Sequence, residues 1–396
     1  MNKRSSSFYF TIFLCLLLIC IFLYWLIVWS NQVYTNDAYV QGNQVYIKSL
    51  RPGFVTGIYT DDSFLVKKGQ LIVSLNETDA SITLEKAKKK LAKTVRDVCQ
   101  AFHDVFILSA EIEVKKSELL KAQQNLKHRQ DVIGVKGISL EDYQHAQDDL
   151  KAAAASLKST KNHYQKMLAL VQGTSIADHP WVQAAAQEVR DAWVQLYRCK
   201  IYAPVDGLVA QRTIQVGMWV SPQEPLMSII PLDQIWVNAN YKETQIKKMR
   251  IGQKVQFTSD LYGSDVVFHG HIVGLPGAAG NAFSLLPPEN LSGNWIKIVQ
   301  RLPVRIALLQ DELKKYPLRI GLSLEVTTDL SDQNGLLVPV SNSNSPQYVT
   351  DIFNKEENGD GKLIAEIIQA NLDPNLQKYS QTPLRSNDIV INGKAK

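Results

Sequence analysis

Residues 84–133 decide the fold of this chain, and they read LEKAKKKLAKTVRDVCQAFHDVFILSAEIEVKKSELLKAQQNLKHRQDVI. An apolar residue recurs at every seventh position of this stretch, at Leu84, Leu91, Val98, Val105, Ile112, Leu119, Leu126 and Ile133. No Gly or Pro occurs between residues 70 and 133. A strict seven-residue apolar repeat specifies a left-handed coiled-coil seam. The stretch therefore predicts one long helix that packs along a partner helix.

The partner helix follows a short turn that contains Gly134 and Gly137. The apolar repeat resumes beyond the turn and includes Leu150 and Leu157. Ser139 precedes two acidic residues, a pattern that favours the N-terminus of a helix. The two arms have nearly equal lengths, so we predict an antiparallel hairpin over residues 77–198 with its tip at 130–139. At about 1.5 Å per residue the hairpin would be roughly 80 Å long.

The second arm is interrupted at residues 173–180, which read GTSIADHP. The repeat restarts at Val182, shifted by four residues relative to Val171. Such a shift is a stutter in a coiled coil, and Pro180 suits the first turn of a new helix. The sequence thus predicts a break in the second arm rather than one continuous helix.

Two short segments on either side of the hairpin repeat each other. Gly53 precedes Val66 by thirteen residues, and Gly207 precedes Val220 by the same distance. Both segments alternate apolar and polar residues, which is typical of strands. We therefore predict that residues 45–76 and 199–231 form two halves of one β domain. We expect glycines to provide unusual backbone angles at its turns, namely Gly53, Gly69, Gly207 and Gly217.

The N-terminal region contains 22 uncharged residues, 8–29. At about 1.5 Å per residue they would span roughly 33 Å, enough for a hydrocarbon core of about 30 Å. Lys3 and Arg4 precede the run, and the next basic residue is Lys48. This asymmetry predicts a transmembrane anchor with residues 1–7 in the cytoplasm and the rest outside. A cleaved signal peptide is the alternative, but its apolar region would be about 7–15 residues and end in small residues. We interpret residues 30–44 as a linker.

The C-terminal half changes to alternating runs separated by Gly, Pro and Asn. This pattern predicts a small antiparallel β-barrel over residues 232–330. Residues 331–396 are interpreted as a membrane-proximal segment or tail. The fold class is therefore α+β, with an N-terminal transmembrane helix, a split β domain, a helical hairpin and a barrel.

The composition excludes several classes of function. Lys and Arg total 43 against 38 Asp and Glu, a net charge of +5 that is mild for a nucleic-acid-binding protein. Four cysteines without a CxxC pair exclude a disulfide-dense scaffold. His269 and His271 would share a strand face, but no third metal ligand accompanies them. We therefore predict neither catalysis nor a cofactor.

The assembled pattern resembles the membrane fusion proteins, or periplasmic adaptors, of the HlyD superfamily. Residues 203–231 are similar to half of a biotinyl/lipoyl domain, without the turn that carries the modified lysine. Residues 231–255 and 282–306 are similar to EmrA-type adaptors of multidrug efflux. These two stretches contain Trp236, Asn240, Lys242, Glu243, Asn294, Trp295, Arg301, Pro303 and Arg305.

The resemblance implies a place in a tripartite pump. The adaptor would join an inner-membrane major-facilitator transporter, EmrB-like, to a TolC-like outer-membrane channel, as a homo-oligomer anchored in the bacterial inner membrane. In related adaptors an Arg, a Leu and a Ser at the hairpin tip dock onto the channel. The corresponding candidates in this chain are His128, Arg129, Val132, Ile133, Gly134, Gly137 and Ser139.

Two other functions stay open at this point. An adaptor of an ABC-driven type I protein secretion system would share the same architecture. A membrane-anchored coiled-coil scaffold without a role in transport would share the anchor and the hairpin. The split repeat argues against a scaffold, because a scaffold has no need of it.

Overall fold

The computed structural model describes residues 3–28, 31–133, 139–279, 299–339, 345–357 and 359–385. The chain divides into two units. The first, called the β unit, comprises Met1–Ser74 and Ile201–Ile352. The second, called the helical unit, comprises Leu75–Lys200 and the chain from Phe353 onward. Each unit is therefore built from two separate pieces of chain.

Fourteen strands and seven α-helices follow one another along the described residues. In chain order they are α1 Lys3–Val28, β1 Gln32–Gly42, β2 Val45–Lys48, β3 Gly53–Ile58, β4 Leu65–Val66, β5 Leu71–Leu75, α2 Thr78–Ile133, α3 Leu140–Val171, α4 Pro180–Tyr197, β6 Lys200–Tyr202, β7 Gly207–Ala210, β8 Trp219–Val220, β9 Pro225–Ile230, β10 Ile235–Lys242, α5 Glu243–Ile246, β11 Lys254–Ser259, β12 Gly263–Gly274, β13 Arg301–Leu308, α6 Gln310–Lys315, β14 Ser323–Asp329 and α7 Asp360–Asn371. Short 3₁₀ helices occur at Ile352–Glu357 and Pro374–Tyr379. Across the described parts of the chain, no helix combines the length and the apolar character needed to cross a membrane.

The predicted β-barrel is confirmed. Six antiparallel strands close it in the order β1-β10-β13-β12-β11-β14. Alternate residues point inward, and the interior contains Tyr241, Phe257 and Phe268. The rings of Phe257 and Phe268 stack with their centroids 5.2 Å apart. Aromatic side chains thus fill much of the space inside the barrel.

The interpretation of residues 30–44 as a linker is wrong, because residues 32–42 form strand β1 of the barrel. The strand pairs with β10 through Ala38 and Ala239, and with β14 through Val33 and Thr328. Ala38 and Val40 are fully buried. Without β1 the barrel would have two open edges, each with a row of unpaired backbone groups. Closing the barrel therefore requires this segment.

The two repeated segments form a pair of four-stranded sheets, in the orders β2-β9-β7-β4 and β6-β5-β3-β8. Each sheet contains two strands from each segment, and the edge strands pair with strands of the other segment: Gly53 pairs with Val220, and Val66 pairs with Gly207. Two backbone hydrogen bonds repeat the same relation. Ser63 donates to Val209 over 2.9 Å, and Gly217 donates to Val55 over 2.8 Å. The equal spacing in the sequence therefore corresponds to an approximate twofold relation between the halves.

The four turn glycines divide into two kinds. Gly69 and Gly217 have φ angles of 81° and 83°, as expected for glycine at turns. The same expectation is wrong for Gly53 and Gly207, which do not have a positive φ. Gly207 is required for a different reason: a Cβ there would lie 2.5 Å from the carbonyl oxygen of Ile230. Close packing of β7 on β9, rather than backbone angle, selects glycine at residue 207.

The predicted helical hairpin is confirmed, with α2 in the first arm and α3 and α4 in the second. Toward the base the seam belongs to a core that a third layer of chain completes, at Leu84, Leu91, Val98 and Val105. Ile112 and Leu157 are also buried. Nearer the tip, among the residues that the structure describes, only α2 and α3 pack together. Leu119, Leu126 and Leu150 are accordingly half-buried there. The side chain of Ile133 lies outside the described residues.

The third layer comes from residues 353–385, which the sequence analysis treated as a tail. Their buried side chains join the core of the hairpin base, and they are Ile364, Leu376, Tyr379 and Leu384. The segment also pairs with the backbone of the break in the second arm. Ile176 donates to the carbonyl of Tyr379 over 2.9 Å, and Gly173 donates to that of Leu384 over 3.1 Å. The break is thus stabilised by the C-terminal segment.

Ion pairs fasten the same segment to α4. Arg190 donates to the buried carboxylate of Asp360, and Arg198 donates to Glu356 over 2.9 Å. Burial raises the pKa of Asp360, but the hydrogen bonds from Arg190 and from the Gly361 backbone outweigh it, so the net pKa is lowered. Gly359 packs against the indole of Trp193, where a Cβ would collide. Charge pairing and close packing therefore act together at this contact.

Candidate functional site

The hairpin tip is the site that the sequence analysis singled out for docking. Helix α2 ends at Ile133 and α3 begins at Leu140. Gly134 and Gly137 lie outside the described residues, so the structure neither supports nor opposes their predicted role. The described sides of the tip are the last turn of α2 and the first turn of α3.

Ser139 and Arg129 are both engaged in holding the tip together. The Ser139 hydroxyl accepts a hydrogen bond from the Asp142 backbone N–H over 3.1 Å and donates to its carboxylate over 2.9 Å. Ser139 is therefore the N-cap of α3. The Arg129 guanidinium reaches across from α2 and donates to the carbonyl of Asp142 over 3.0 Å. The serine thus caps α3, and the arginine links α2 to α3.

The exposed apolar side chains of the tip are different residues. Val132 is 41% exposed at the end of α2, and Leu140 is 66% exposed at the start of α3. His128 is also exposed. Leu140 is not among the tip residues predicted from sequence, because it lies outside the seven-residue apolar repeat. An apolar residue directly after a helix N-cap is the signal that could have found it.

Replacing Ser139 with alanine should destabilise the first turn of α3. Loss of an N-cap side chain costs about 1 kcal/mol, since the Asp142 backbone N–H loses its partner. Faster hydrogen exchange in the first turn of α3 measures this loss. Ser117→Ala is the matched control, because the Ser117 hydroxyl bonds the carbonyl of Glu113 within helix α2. Equal hydrogen-exchange rates in the first turn of α3 in the two variants would contradict the assignment of Ser139 as its N-cap.

The motif residues of the barrel form two clusters on its outer surface. In the first, the guanidinium carbon of Arg305 lies 3.8 Å from the ring centroid of Trp236. The indole N–H of Trp236 donates to Asn238 over 3.0 Å, and Asn238 pairs with Arg305 across the strands. A cation–π contact of this kind contributes about 1 kcal/mol. The cluster joins β10 to β13.

The second cluster fastens β1 to the barrel. The carboxylate of Asp37 accepts a hydrogen bond from the Asn240 amide over 2.9 Å and pairs with Arg301 over 2.9 Å. Asp37 lies at an irregularity in the pairing of β1 with β14, between Thr35 and Ala38. Three strands, β1, β10 and β13, are therefore linked by one carboxylate. The motif residues Asn240 and Arg301 therefore share Asp37 as a partner, which the interpretation of residues 30–44 as a linker did not predict.

The remaining motif residues lie beside these clusters. Lys242 ends β10, and its backbone N–H donates to the side chain of Gln245 over 2.9 Å. Glu243 begins α5, with its N–H bonded to the carbonyl of Gln300 over 3.0 Å. Pro303 lies beyond the part of β13 that pairs with β12, so its missing N–H removes no bond from that ladder. Asn294 and Trp295 lie outside the described residues.

Tyr241 and His269 could suggest a catalytic or metal site, but both are held by structural hydrogen bonds. The phenol of Tyr241 is buried and shares a 2.7 Å hydrogen bond with Thr328, and burial raises its pKa to about 12. His269 lies 2.9 Å from the carboxylate of Glu312, which also accepts its backbone N–H. In the described ranges, no three or more His, Cys, Asp or Glu side chains form a group that could hold a metal ion.

Comparison with known proteins agrees with this architecture. The family described as "EMRA, alpha-helical hairpin domain" matches residues 78–199. "Multidrug export protein EmrA" of Escherichia coli (strain K12) is 43% identical over 353 residues, covering 89% of this chain and 90% of that protein. The protein of the same name from Haemophilus influenzae (strain ATCC 51907 / DSM 11121 / KW20 / Rd) is 39% identical over 373 residues, covering 93% and 96%. A solved structure described as "Structure of the periplasmic adaptor protein EmrA" aligns with a TM-score of 0.40 and 17% identity, covering 76% of this chain and 98% of that one.

These two relatives are identical to this chain at about two residues in five, over nearly its whole length. The chain therefore belongs to the EmrA family.

Proposed function

We propose that this protein is the periplasmic adaptor of a tripartite multidrug efflux pump. It would link an inner-membrane major-facilitator transporter of the EmrB type to a TolC-like outer-membrane channel. The observation that carries the proposal is helix α2, which contains 56 residues. At about 1.5 Å per residue it extends roughly 84 Å, which suits a protein that reaches between two membranes. We also infer that the two four-stranded sheets are the biotinyl/lipoyl-like domain that the sequence resembles.

We propose that residues 8–29 anchor the chain in the inner membrane with the N-terminus in the cytoplasm. The support is the uncharged run itself and the basic residues Lys3 and Arg4 before it. Within α1, large apolar side chains such as Phe8 and Phe13 are exposed on 65% and 64% of their surface. Transfer of such side chains from water into the hydrocarbon of a membrane is favourable, by about 1.5–3 kcal/mol for each one fully buried.

We further propose that the adaptor works as a homo-oligomer. Ile107 and Val114 are 62% and 56% exposed on α2 and lie one seven-residue repeat apart. Such spacing places both on one helix face, outside the seam that is already filled. A neighbouring copy could cover this face. Analytical ultracentrifugation of the detergent-solubilised chain reports whether more than one copy associates.

Docking of the tip onto the channel can be tested at Leu140. Leu140→Asp should weaken binding to the channel about 30-fold or more, since loss of a central apolar contact costs about 2 kcal/mol or more. Aspartate is favourable in the first turn of a helix, so the variant should fold. Cross-linking to the channel and drug resistance of cells that carry the variant measure the effect.

Leu120→Asp is the matched control. Leu120 is a 55% exposed leucine on the same hairpin, thirteen residues before the end of α2. That distance corresponds to roughly 20 Å along the helix. Equal channel binding by the two variants would contradict docking through the tip. Normal drug resistance in cells that lack the protein, with loss of a secreted protein, would instead support a type I secretion adaptor.

A further inference from the structure

The end of the barrel where α1 joins it is defined by strand β1. Helix α1 ends at Val28, and β1 begins four residues later at Gln32. Four residues span at most about 14 Å. Gln32 pairs with Asp329 at the end of β14, and the N–H of Leu330 donates to the carbonyl of Asn31 over 2.8 Å. The chain that follows β14 therefore starts at the same end of the barrel as α1.

A second loop lies at this end. Strand β10 is antiparallel to β1 and ends at Lys242, so α5 and the residues that follow it are also at the α1 end. Strand β11 starts from this end as well, because Val255 pairs with Thr328 near the end of β14. The loops of residues 247–253 and 330–339 are thus neighbours beside the start of β1.

The two loops are fastened to each other by glutamine side chains. The amide of Gln333 donates to the carbonyl of Lys248 over 2.9 Å and to that of Leu330 over 2.6 Å. The amide of Gln253 donates to Lys248 over 3.1 Å and to the carbonyl of Asp332 over 2.6 Å. A backbone bond from Ile251 to Leu336, 3.0 Å long, completes the contact. The loops therefore form one ordered surface.

This surface presents an apolar run that the barrel does not cover. Leu336, Leu337 and Val338 are 62%, 56% and 72% exposed. Three consecutive exposed aliphatic side chains on an ordered loop indicate an interaction site. The loop packs closely on residue 251 just before this run, since a side chain at Gly335 would collide with the carbonyl oxygen of Ile251.

Basic residues surround the apolar run. Lys247 and Lys248 are exposed on the neighbouring loop, and Lys254 begins β11 at the same end. The exposed acidic residues at this end are Glu243, Asp329 and Asp332, and Asp329 interacts with Lys254. With the half-buried Arg250 the cations outnumber these carboxylates. An apolar run with a basic rim fits a membrane surface that contains anionic lipid.

We propose that Leu336, Leu337 and Val338, together with Lys247 and Lys248, form a second membrane contact that rests on the anionic phospholipid surface next to α1. The aliphatic side chains enter the interface, and the lysines pair with lipid phosphates. The inference rests on the proposed anchoring by α1. Lipid is favoured as the occupant because Leu330, which begins one of the loops, bonds to Asn31, three residues after the end of the proposed anchor α1.

The test uses the full chain in lipid vesicles, with Cys15→Ser and Cys20→Ser to remove the exposed thiols. The two remaining cysteines, Cys99 and Cys199, are buried. An environment-sensitive fluorophore is attached through Val338→Cys in one protein and Val349→Cys in the other. Val349 is a matched control, being 67% exposed and adjacent to Thr350, whose hydroxyl bonds Pro204 beside the four-stranded sheets. Strand β1 separates those sheets from the α1 end of the barrel.

We expect brominated acyl chains to quench the label at residue 338 severalfold more than the label at 349. Quenching at 338 should be stronger in vesicles of phosphatidylglycerol and phosphatidylcholine than in phosphatidylcholine alone. Lys247→Gln with Lys248→Gln should remove that difference, at about fivefold per lysine in the equilibrium of contact. Flotation of the vesicles shows separately whether the chain is anchored.

Each other outcome overturns the inference. If the protein floats with the vesicles but both labels are quenched equally little, the lipid contact is wrong and the anchor stands. If the label at 338 changes only when an inner-membrane transporter is present, the surface binds protein and not lipid. If the chain does not float, the anchor fails and the lipid contact fails with it.

Discussion

Tyr379→Ala should lower the free energy of unfolding of the helical unit by about 3–5 kcal/mol. The ring of Tyr379 is 8% exposed and lies 6.1 Å from that of Phe102 and 5.8 Å from that of Phe106, measured between centroids. Removing it opens a cavity in the layer that covers the seam. It also loosens the segment whose carbonyl at residue 379 accepts the N–H of Ile176. Urea denaturation followed by the helical circular dichroism signal measures the loss.

Hydrogen exchange distinguishes this effect from a general loss of stability. The amide of Ile176 should exchange early in Tyr379→Ala, because its acceptor lies in the loosened segment. Tyr348→Ala is the control, since Tyr348 is 52% exposed and belongs to the β unit. An exposed substitution of this kind changes stability by less than about 0.5 kcal/mol. Identical urea midpoints for the two variants would show that the C-terminal segment contributes nothing to the hairpin base.

Gly207→Ala should destabilise the β unit by about 3 kcal/mol or more, near the upper end of what overpacking costs. The new Cβ would lie 2.5 Å from the carbonyl oxygen of Ile230 and 2.8 Å from a methyl carbon of Ile229. Relief requires β7 to move away from β9, which breaks the ladder between Leu208 and Ile230. Thermal unfolding followed in the near-ultraviolet measures the change.

Gly69→Ala separates backbone angle from close packing. Gly69 has a φ of 81°, and a Cβ there would meet no atom within 4 Å. Its substitution should therefore cost only the strain of a left-handed alanine, about 1–2 kcal/mol. A loss for Gly69→Ala as large as that for Gly207→Ala would refute the assignment of the two glycines to different physical causes.

The hairpin could be predicted from sequence because its signal is local. Successive seam residues lie two turns apart on the same helix, so the seven-residue repeat from Leu84 to Ile133 is visible without knowing which helix they pack against. The repeated segments were visible for a related reason, since two copies of one spacing can be compared directly. The breaks and turns between these elements followed from Gly and Pro.

Strand β1 and the C-terminal segment could not be predicted in this way. Residues 32–42 read QVYTNDAYVQG, a short polar sequence whose strand pairing depends on β10 and β14, about 200 and 290 residues further on. The apolar residues of the C-terminal segment are likewise buried by helices far away in the sequence. At the tip the positions of Arg129 and Ser139 were predicted, but their contacts with Asp142 depend on how two helices meet. The role of the tip in docking stays a prediction.

The pairing of strands between the two repeated segments has a consequence for the order of folding. Strands β3 and β4 pair with β8 and β7, which are made only after the helical hairpin has been synthesised. At about 5–20 residues per second, the 124 residues between Leu75 and Lys200 take roughly 6–25 s to make. During that time β2 and β4 have no strand partners and, within the first segment, only β3 and β5 can pair with each other, whereas the hairpin can close from its tip through contacts near in sequence. The helices should therefore form first. The hairpin, which interrupts the β domain in sequence, would then bring the strands of its two halves together.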